Sequence, residues 1–119
     1  MILRKTFRFE ASHILPKHPG KCSRLHGHSW VLHVYVEGPI NPETGFVRDY
    51  GDISDEIKPL INFYLDHCHL NTTLSIYPSS ENILMWLGGK IDKWSKLALE
   101  ETCTSYAELT RGEYDNTAR

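Results

Sequence analysis

Seven histidines stand among the 119 residues of this chain, and three of them have the spacing of metal ligands. His26 and His28 flank one glycine in the run Leu25-His-Gly-His-Ser29. On an extended chain, side chains two residues apart share a face, so both imidazoles reach the same ion. His13 closes an earlier alternating segment and supplies a third nitrogen if the two segments pair antiparallel. Three imidazoles with one position left open is the donor set of a catalytic Zn²⁺ rather than of a structural one. Three unrelated polar residues at strand ends is the plainer alternative. Gly27 leaves the opposite face bare, which permits close approach of a neighbouring backbone. His33 has the opposite parity and points away from the other two.

Further residues carry chemistry near this trio. Cys22 lies four residues before His26, between Lys21 and Arg24. Nearby cations favour a thiolate, which makes it a candidate base or nucleophile. A fourth zinc ligand, closing the site, and an inert buried hydrophobe are the other readings. Asp66 beside His67 is a pair in which the carboxylate orients the ring and raises its basicity, or simply a solvated helix end. Glu101 falls in a strand-like stretch, where a carboxylate needs a partner or donors from a ligand. Lys17, His18, Lys21 and Arg24 crowd one loop, either as a local anion funnel or as a merely solvated segment.

These side chains need scaffolding, and the hydrophobic pattern supplies it. From Leu3 to His13 the sequence alternates, with Phe7, Phe9, Ala11 and His13 on one parity, which predicts a strand. Pro16, Pro19 and Gly20 mark a loop from Ile14 to Leu25, and His26 to Glu37 predicts a second strand. From Asp52, taken as the cap, Ile53, Ile57, Leu60, Ile61 and Tyr64 follow a helical period to about Leu65, with a kink or break expected at Pro59. Ile83, Leu84, Leu87, Ile91 and Trp94 predict a second helix, capped by Ser79 or Ser80 and weakened by Gly88 and Gly89. Leu97 to Leu109 reads as one or two strands. Gly112 to Arg119 reads as a frayed tail.

Composition excludes several classes. Charged residues make up 24% and hydrophobic residues 40% of the chain, an ordinary globular balance that sets disorder aside. Thirteen Lys and Arg against fifteen Asp and Glu leave a formal charge of -2, so no surface-wide grip on nucleic acid or an anionic membrane is expected. Three cysteines without a Cys-x-x-Cys pair argue against a disulfide framework. Charges in Met1-Ile-Leu-Arg-Lys-Thr-Phe-Arg-Phe-Glu10 interrupt any signal-like run, and a cytoplasmic location is expected.

Several motifs in order then resemble the 6-pyruvoyl tetrahydropterin synthase and 6-carboxy-tetrahydropterin synthase family. They are Phe9-Glu-Ala-Ser-His13, Cys22-Ser-Arg-Leu-His-Gly-His28, Gly45-Phe-Val-Arg-Asp-Tyr50, Leu65-Asp-His67 with Leu70-Asn71, Pro78-Ser-Ser-Glu81 and Glu101-Thr-Cys-Thr-Ser105. The resemblance implies an α+β T-fold over residues 1–119, one domain whose antiparallel four-stranded sheet has two helices between strands 2 and 3. It implies assembly into a barrel as a homohexamer of two stacked trimers. It implies Zn²⁺ on His13, His26 and His28, catalysis by Cys22, Asp66 and His67, and a pterin edge anchored by Glu101, a carboxylate suited to two parallel N–H donors. Lys17, Lys21 and Arg24 are then candidates for the substrate's phosphates.

The spacing Cys-x-x-x-His-Gly-His is similar to the 6-carboxy branch. Leu25 stands where dual-function members carry Glu, and the run after Ser105 is more like the pyruvoyl branch. The implied reaction turns 7,8-dihydroneopterin triphosphate into 6-carboxytetrahydropterin, acetaldehyde and triphosphate, early in queuosine and other 7-deazapurine biosynthesis. The alternatives are 6-pyruvoyl tetrahydropterin synthesis, a non-catalytic zinc-binding module and a three-histidine zinc hydrolase.

Overall fold

A computed structural model of the chain describes residues 1–117. The two alternating segments form β1 (Ile2–His13) and β2 (His26–Glu37), paired antiparallel from Ile2 opposite Glu37 to His13 opposite His26. Phe7, Phe9 and Ala11 of β1 and Trp30, Leu32, Val34 and Val36 of β2 are buried, as the alternation requires. Phe9 and Trp30 are register partners whose rings stack with centroids 5.9 Å apart. Beyond β2 follow α1 (Tyr50–Tyr64), β3 (Cys68–His69), the one-turn α2 (Leu70–Thr73) and α3 (Ser80–Lys90). The chain then runs through β4 (Lys96–Thr102) and β5 (Ser105–Thr110) to α4 (Arg111–Thr117).

One sheet results, in the order β3-β1-β2-β4-β5. Ile53, Ile57 and Ile61 of α1 and Ile83, Leu84 and Leu87 of α3 join the inward strand residues in one core. Among the described residues the architecture is α+β, as expected, but with five strands instead of four. The extra strand, β3, is two residues long and lies parallel to β1, with Ala11 opposite Cys68. Two residues cannot show a period of two; only the free edge of β1 makes this segment a strand. Among the described residues, no helix is long and apolar enough to cross a membrane.

Local expectations change in four places. Asp49, not Asp52, caps α1, its carboxylate accepting the Gly51 N–H at 2.7 Å. Pro59 neither breaks nor ends α1; it lies on the exposed side, where the carbonyl it leaves unbonded faces water. The second helix stops at Lys90, so Trp94 lies beyond it but still fills the core.

The expected frayed tail is helical over Arg111–Thr117, and Ala118 and Arg119 lie outside the described residues. Thr110 and Glu113 build a capping box: Thr110 Oγ1 accepts the Glu113 N–H at 3.2 Å, and Glu113 Oε1 accepts the Thr110 N–H at 3.3 Å. Tyr114 then packs on Trp94, with ring centroids 5.4 Å apart.

Candidate metal centre

His13, the last residue of β1, faces His26, the first of β2, and His28 faces Ala11. All three imidazoles lie on the helical side of the sheet. Their centroids are 4.5 Å (His13–His26), 4.9 Å (His26–His28) and 5.2 Å (His13–His28) apart. Trp30 forms the floor, nearly perpendicular to His13 and His28 at 5.2 and 5.3 Å. It is itself fixed by its Nε1–H on the Ala11 carbonyl at 3.2 Å.

Hydrogen bonds on the outer nitrogens set the tautomers. His13 Nδ1 lies 2.8 Å from the Pro78 carbonyl and His26 Nδ1 2.7 Å from the Arg24 carbonyl. A carbonyl only accepts, so both Nδ1 atoms carry hydrogen and, in the neutral ring, the lone pair is on Nε2. The Nε2 atoms of His13, His26 and His28 are all buried without a hydrogen-bond partner. Glu101 Oε1 approaches His13 Nε2 at 3.1 Å and His28 Nε2 at 3.4 Å, close enough for an ion pair yet not aligned as a hydrogen bond. Burial holds the pKa of His13 below the ordinary histidine value against the pull of the Pro78 carbonyl, and His26 lowers it further. Burial does the same to His28, with the Glu101 charge opposing it.

In their neutral forms the three rings can turn Nε2 lone pairs toward one another and toward the Glu101 carboxylate. Each unsatisfied buried polar group costs about 1 to 3 kcal/mol, and one cation among them removes the cost for all. One donor atom from each of His13, His26, His28 and Glu101 lies within 4.8 Å of the others. The group is able to hold a metal ion.

The remaining candidates surround this centre unevenly. Asp66 and His67 precede β3 at the sheet edge. Asp66 Oδ1 accepts the Glu10 N–H at 2.9 Å and Asp66 Oδ2 lies 3.0 Å from His67 Nδ1. The backbone N–H of Glu10, and then His67, hold the Asp66 carboxyl below the usual carboxylate range. His67 has a backbone φ of 57° and a side chain 80% exposed, so its ring projects away from its own core. It nevertheless borders, with His28, Glu10 and Ser29, a cavity of about 580 Å³.

Cys22 is a free, half-buried thiol on a 3-10 turn, Lys21–Ser23. Its carbonyl accepts the Leu15 N–H at 2.8 Å, closing the loop between β1 and β2. Lys17, Lys21 and Arg24 are exposed on this loop; Lys17 Nζ stands 5.4 Å over the Tyr77 ring. His33, on the other sheet face, donates from Nε2 to Glu100 Oε2 at 2.7 Å and pairs through Nδ1 with Thr6 Oγ1 at 2.9 Å.

Sequence reasoning did not single out Asn71, the Pro78 carbonyl or the closeness of Glu101 to the histidines. The motifs around them, Leu70-Asn71 and Pro78-Ser-Ser-Glu81, were the available signal, but which atom does the holding depends on chain crossings.

Comparison with known proteins agrees with this fold. The family model described as 6-pyruvoyl tetrahydropterin synthase matches residues 2–112. A 6-carboxy-5,6,7,8-tetrahydropterin synthase of Synechocystis sp. is 41% identical over 116 residues, covering 89% of this chain and 90% of that protein. A dihydroneopterin monophosphate aldolase of Pyrococcus furiosus is 33% identical over 85 residues, 71% of this chain and 69% of that one. The structure of Caenorhabditis elegans 6-pyruvoyl tetrahydropterin synthase has the same fold, with a TM-score of 0.79 at 20% identity over 92% of this chain and 94% of that one. With both histidine-bearing strands, the Asp66–Asn71 segment and the β4–β5 hairpin all inside the matched range, this chain belongs to the 6-pyruvoyl tetrahydropterin synthase family.

Proposed function

We propose that the protein is a zinc-dependent 6-carboxy-5,6,7,8-tetrahydropterin synthase. It is a lyase that takes 7,8-dihydroneopterin triphosphate and water to 6-carboxytetrahydropterin, acetaldehyde and triphosphate, early in queuosine and related 7-deazapurine biosynthesis. The observation that carries the reading is the convergence of three buried, unpartnered Nε2 atoms, two of them with their tautomer set by outward Nδ1–H bonds. The name of the Synechocystis relative supports the 6-carboxy branch.

His13, His26 and His28 would hold Zn²⁺, which would supply Lewis acidity toward the hydroxyls of the substrate side chain. Cys22 moves a proton at the carbons between the pterin ring and that side chain. His67 moves another, its ring oriented by the ionised Asp66. Glu101 accepts paired N–H donors from the pyrimidine edge of the pterin. Its position 3.1 Å from His13 Nε2 also suits a fourth ligand. In Glu101→Gln, weaker zinc binding assigns the carboxylate to the metal, and a higher KM at unchanged zinc content assigns it to the pterin. Lys17, Lys21 and Arg24 meet the triphosphate.

The working form is a homohexamer of two trimers. Edge strands β3 and β5 leave backbone groups unpaired, and closing several sheets into a barrel removes such edges. The exposed His67 ring, turned from its own core, then serves a site at a subunit border. Light scattering that finds an active monomer at assay concentration overturns this assembly.

The test of the reaction is incubation of zinc-loaded protein with 7,8-dihydroneopterin triphosphate, with product masses and acetaldehyde measured. Acetaldehyde with 6-carboxytetrahydropterin is expected. Formation of 6-pyruvoyl tetrahydropterin selects the sister reaction, and no turnover of the zinc-loaded protein rejects catalysis on this substrate.

A further inference from the structure

The backbone of β1 leaves its partner strand after His13, so the next peptide has no ladder to satisfy it. Asn71 takes that place. Its Oδ1 accepts the Ile14 N–H at 2.8 Å and its Nδ2 donates to the Ile14 carbonyl at 2.8 Å. Only a primary amide offers an acceptor and a donor side by side in this way; a flipped amide, an aspartate or a leucine cannot. The Ile14 N–H belongs to the peptide that joins it to His13, so the first bond sets the orientation of the His13 backbone. The Pro78 carbonyl holds the His13 ring from a second direction.

Both restraints come from the segment between β3 and α3, and that segment is itself anchored. Leu70 and Leu74 are buried, and Thr73 Oγ1–H donates to the Tyr64 carbonyl at 2.7 Å, tying α2 to the end of α1. On the other side of Ile14 begins the exposed loop that carries Cys22.

We infer that Asn71 is a positioning residue of the metal centre: by locking the His13–Ile14 peptide it aims His13 Nε2 at the ion and isolates it from motion of the Cys22 loop. This rests on the metal reading above. Partners of this kind typically govern a 10- to 100-fold share of metal affinity. The preceding clips on β1 belong to the same device: Glu10 N–H on Asp66 and Ser12 Oγ with His69 Nδ1 at 3.0 Å lead, two residues at a time, to Asn71 on Ile14.

The test uses the full chain, stripped of metal and titrated with Zn²⁺ against a chromophoric chelator, with Co²⁺ absorption reporting ligand geometry and circular dichroism reporting the fold. Asn71→Ala should bind Zn²⁺ about 10- to 100-fold more weakly and change the Co²⁺ band intensities. Asn71→Asp, which keeps the volume and the acceptor but loses the donor, should change both in the same direction and decides the matter if Asn71→Ala does not fold. Thr73→Val, which removes one anchor of α2 but leaves both Asn71 bonds to Ile14 in place, should lower thermal stability and weaken zinc binding clearly less than Asn71→Ala does.

Asn71 variants that bind like the unaltered chain with its Co²⁺ spectrum overturn the inference, as does a Thr73→Val chain weakened as much as Asn71→Ala. An unaltered chain that binds no Zn²⁺ overturns the metal reading itself.

Discussion

Replacing Gly88 by Ala sets two effects of opposite sign against each other. In a helix interior, alanine is favoured over glycine by about 0.8 to 1 kcal/mol, and Gly88 lies inside α3. A Cβ built there would stand 2.8 and 2.9 Å from Tyr114 Cδ2 and Cε2 and 3.0 Å from Trp94 Cζ2, distances at which a ring must move. Overpacking of a closed site costs about 1 to 3 kcal/mol. Trp94 cannot yield easily, because it is 3% exposed and its Nε1–H donates to the Gly88 carbonyl at 3.1 Å. The clash should therefore at least cancel the gain, with net destabilisation of about 0 to 2 kcal/mol read from urea midpoints at fixed protein and zinc concentration.

In a Tyr114→Ala background the two shortest contacts disappear. Gly88→Ala should then cost at least about 1 kcal/mol less, a coupling of the size found between residues in contact. Metal affinity should not change, since Gly88 is about 13 Å along the helix from the Ser79 cap and the Pro78 carbonyl that holds His13. Additive effects of the two substitutions, or a stabilised Gly88→Ala chain with Tyr114 present, would refute the packing argument.

The other predictions concern the site. Cys22→Ala should abolish turnover at full zinc content, and His67→Ala likewise, with Asp66→Ala milder because it only orients the ring; loss of zinc in Cys22→Ala would mean the thiol is a ligand. Lys17→Ala with Lys21→Ala should raise KM for the triphosphate and reduce its dependence on ionic strength, because cation–polyanion contacts are screened by salt; an unchanged salt dependence removes these lysines from the phosphate site. The metal-free protein should lose stability on acidification below pH 6.5. His13 and His28 have folded-state values below 6.5, so between those values and 6.5 the unfolded chain binds more protons, and the stability present above 6.5 drains as pH falls. A His13→Gln chain should show a shallower fall from pH 7 to 5.5, and an identical slope would contradict the assignment.

Much of this molecule is legible in one dimension. Alternation in Leu3–His13 and His26–Glu37 specifies which side chains enter the core, because a strand has a period of two and one face is buried. The same parity brings His26 and His28 to one face, and antiparallel pairing adds His13 across the ladder. Asp66 beside His67, and Cys22 four residues before His26, are local facts of the chain.

What only the tertiary structure decided are contacts whose partners are distant in sequence. β3 is a strand because β1 offers it an edge, and α4, started by its own Thr110–Glu113 capping box, is docked because Tyr114 finds Trp94 and the space left by Gly88. A glycine that weakens a helix in isolation is here the residue that admits a neighbour. The tautomers of His13 and His26, set by the Pro78 and Arg24 carbonyls, and the clamp of Asn71 on Ile14 depend on backbone groups identical in every residue. Residue identity cannot reveal which carbonyl or amide will face a given ring; chain crossings in three dimensions settle it.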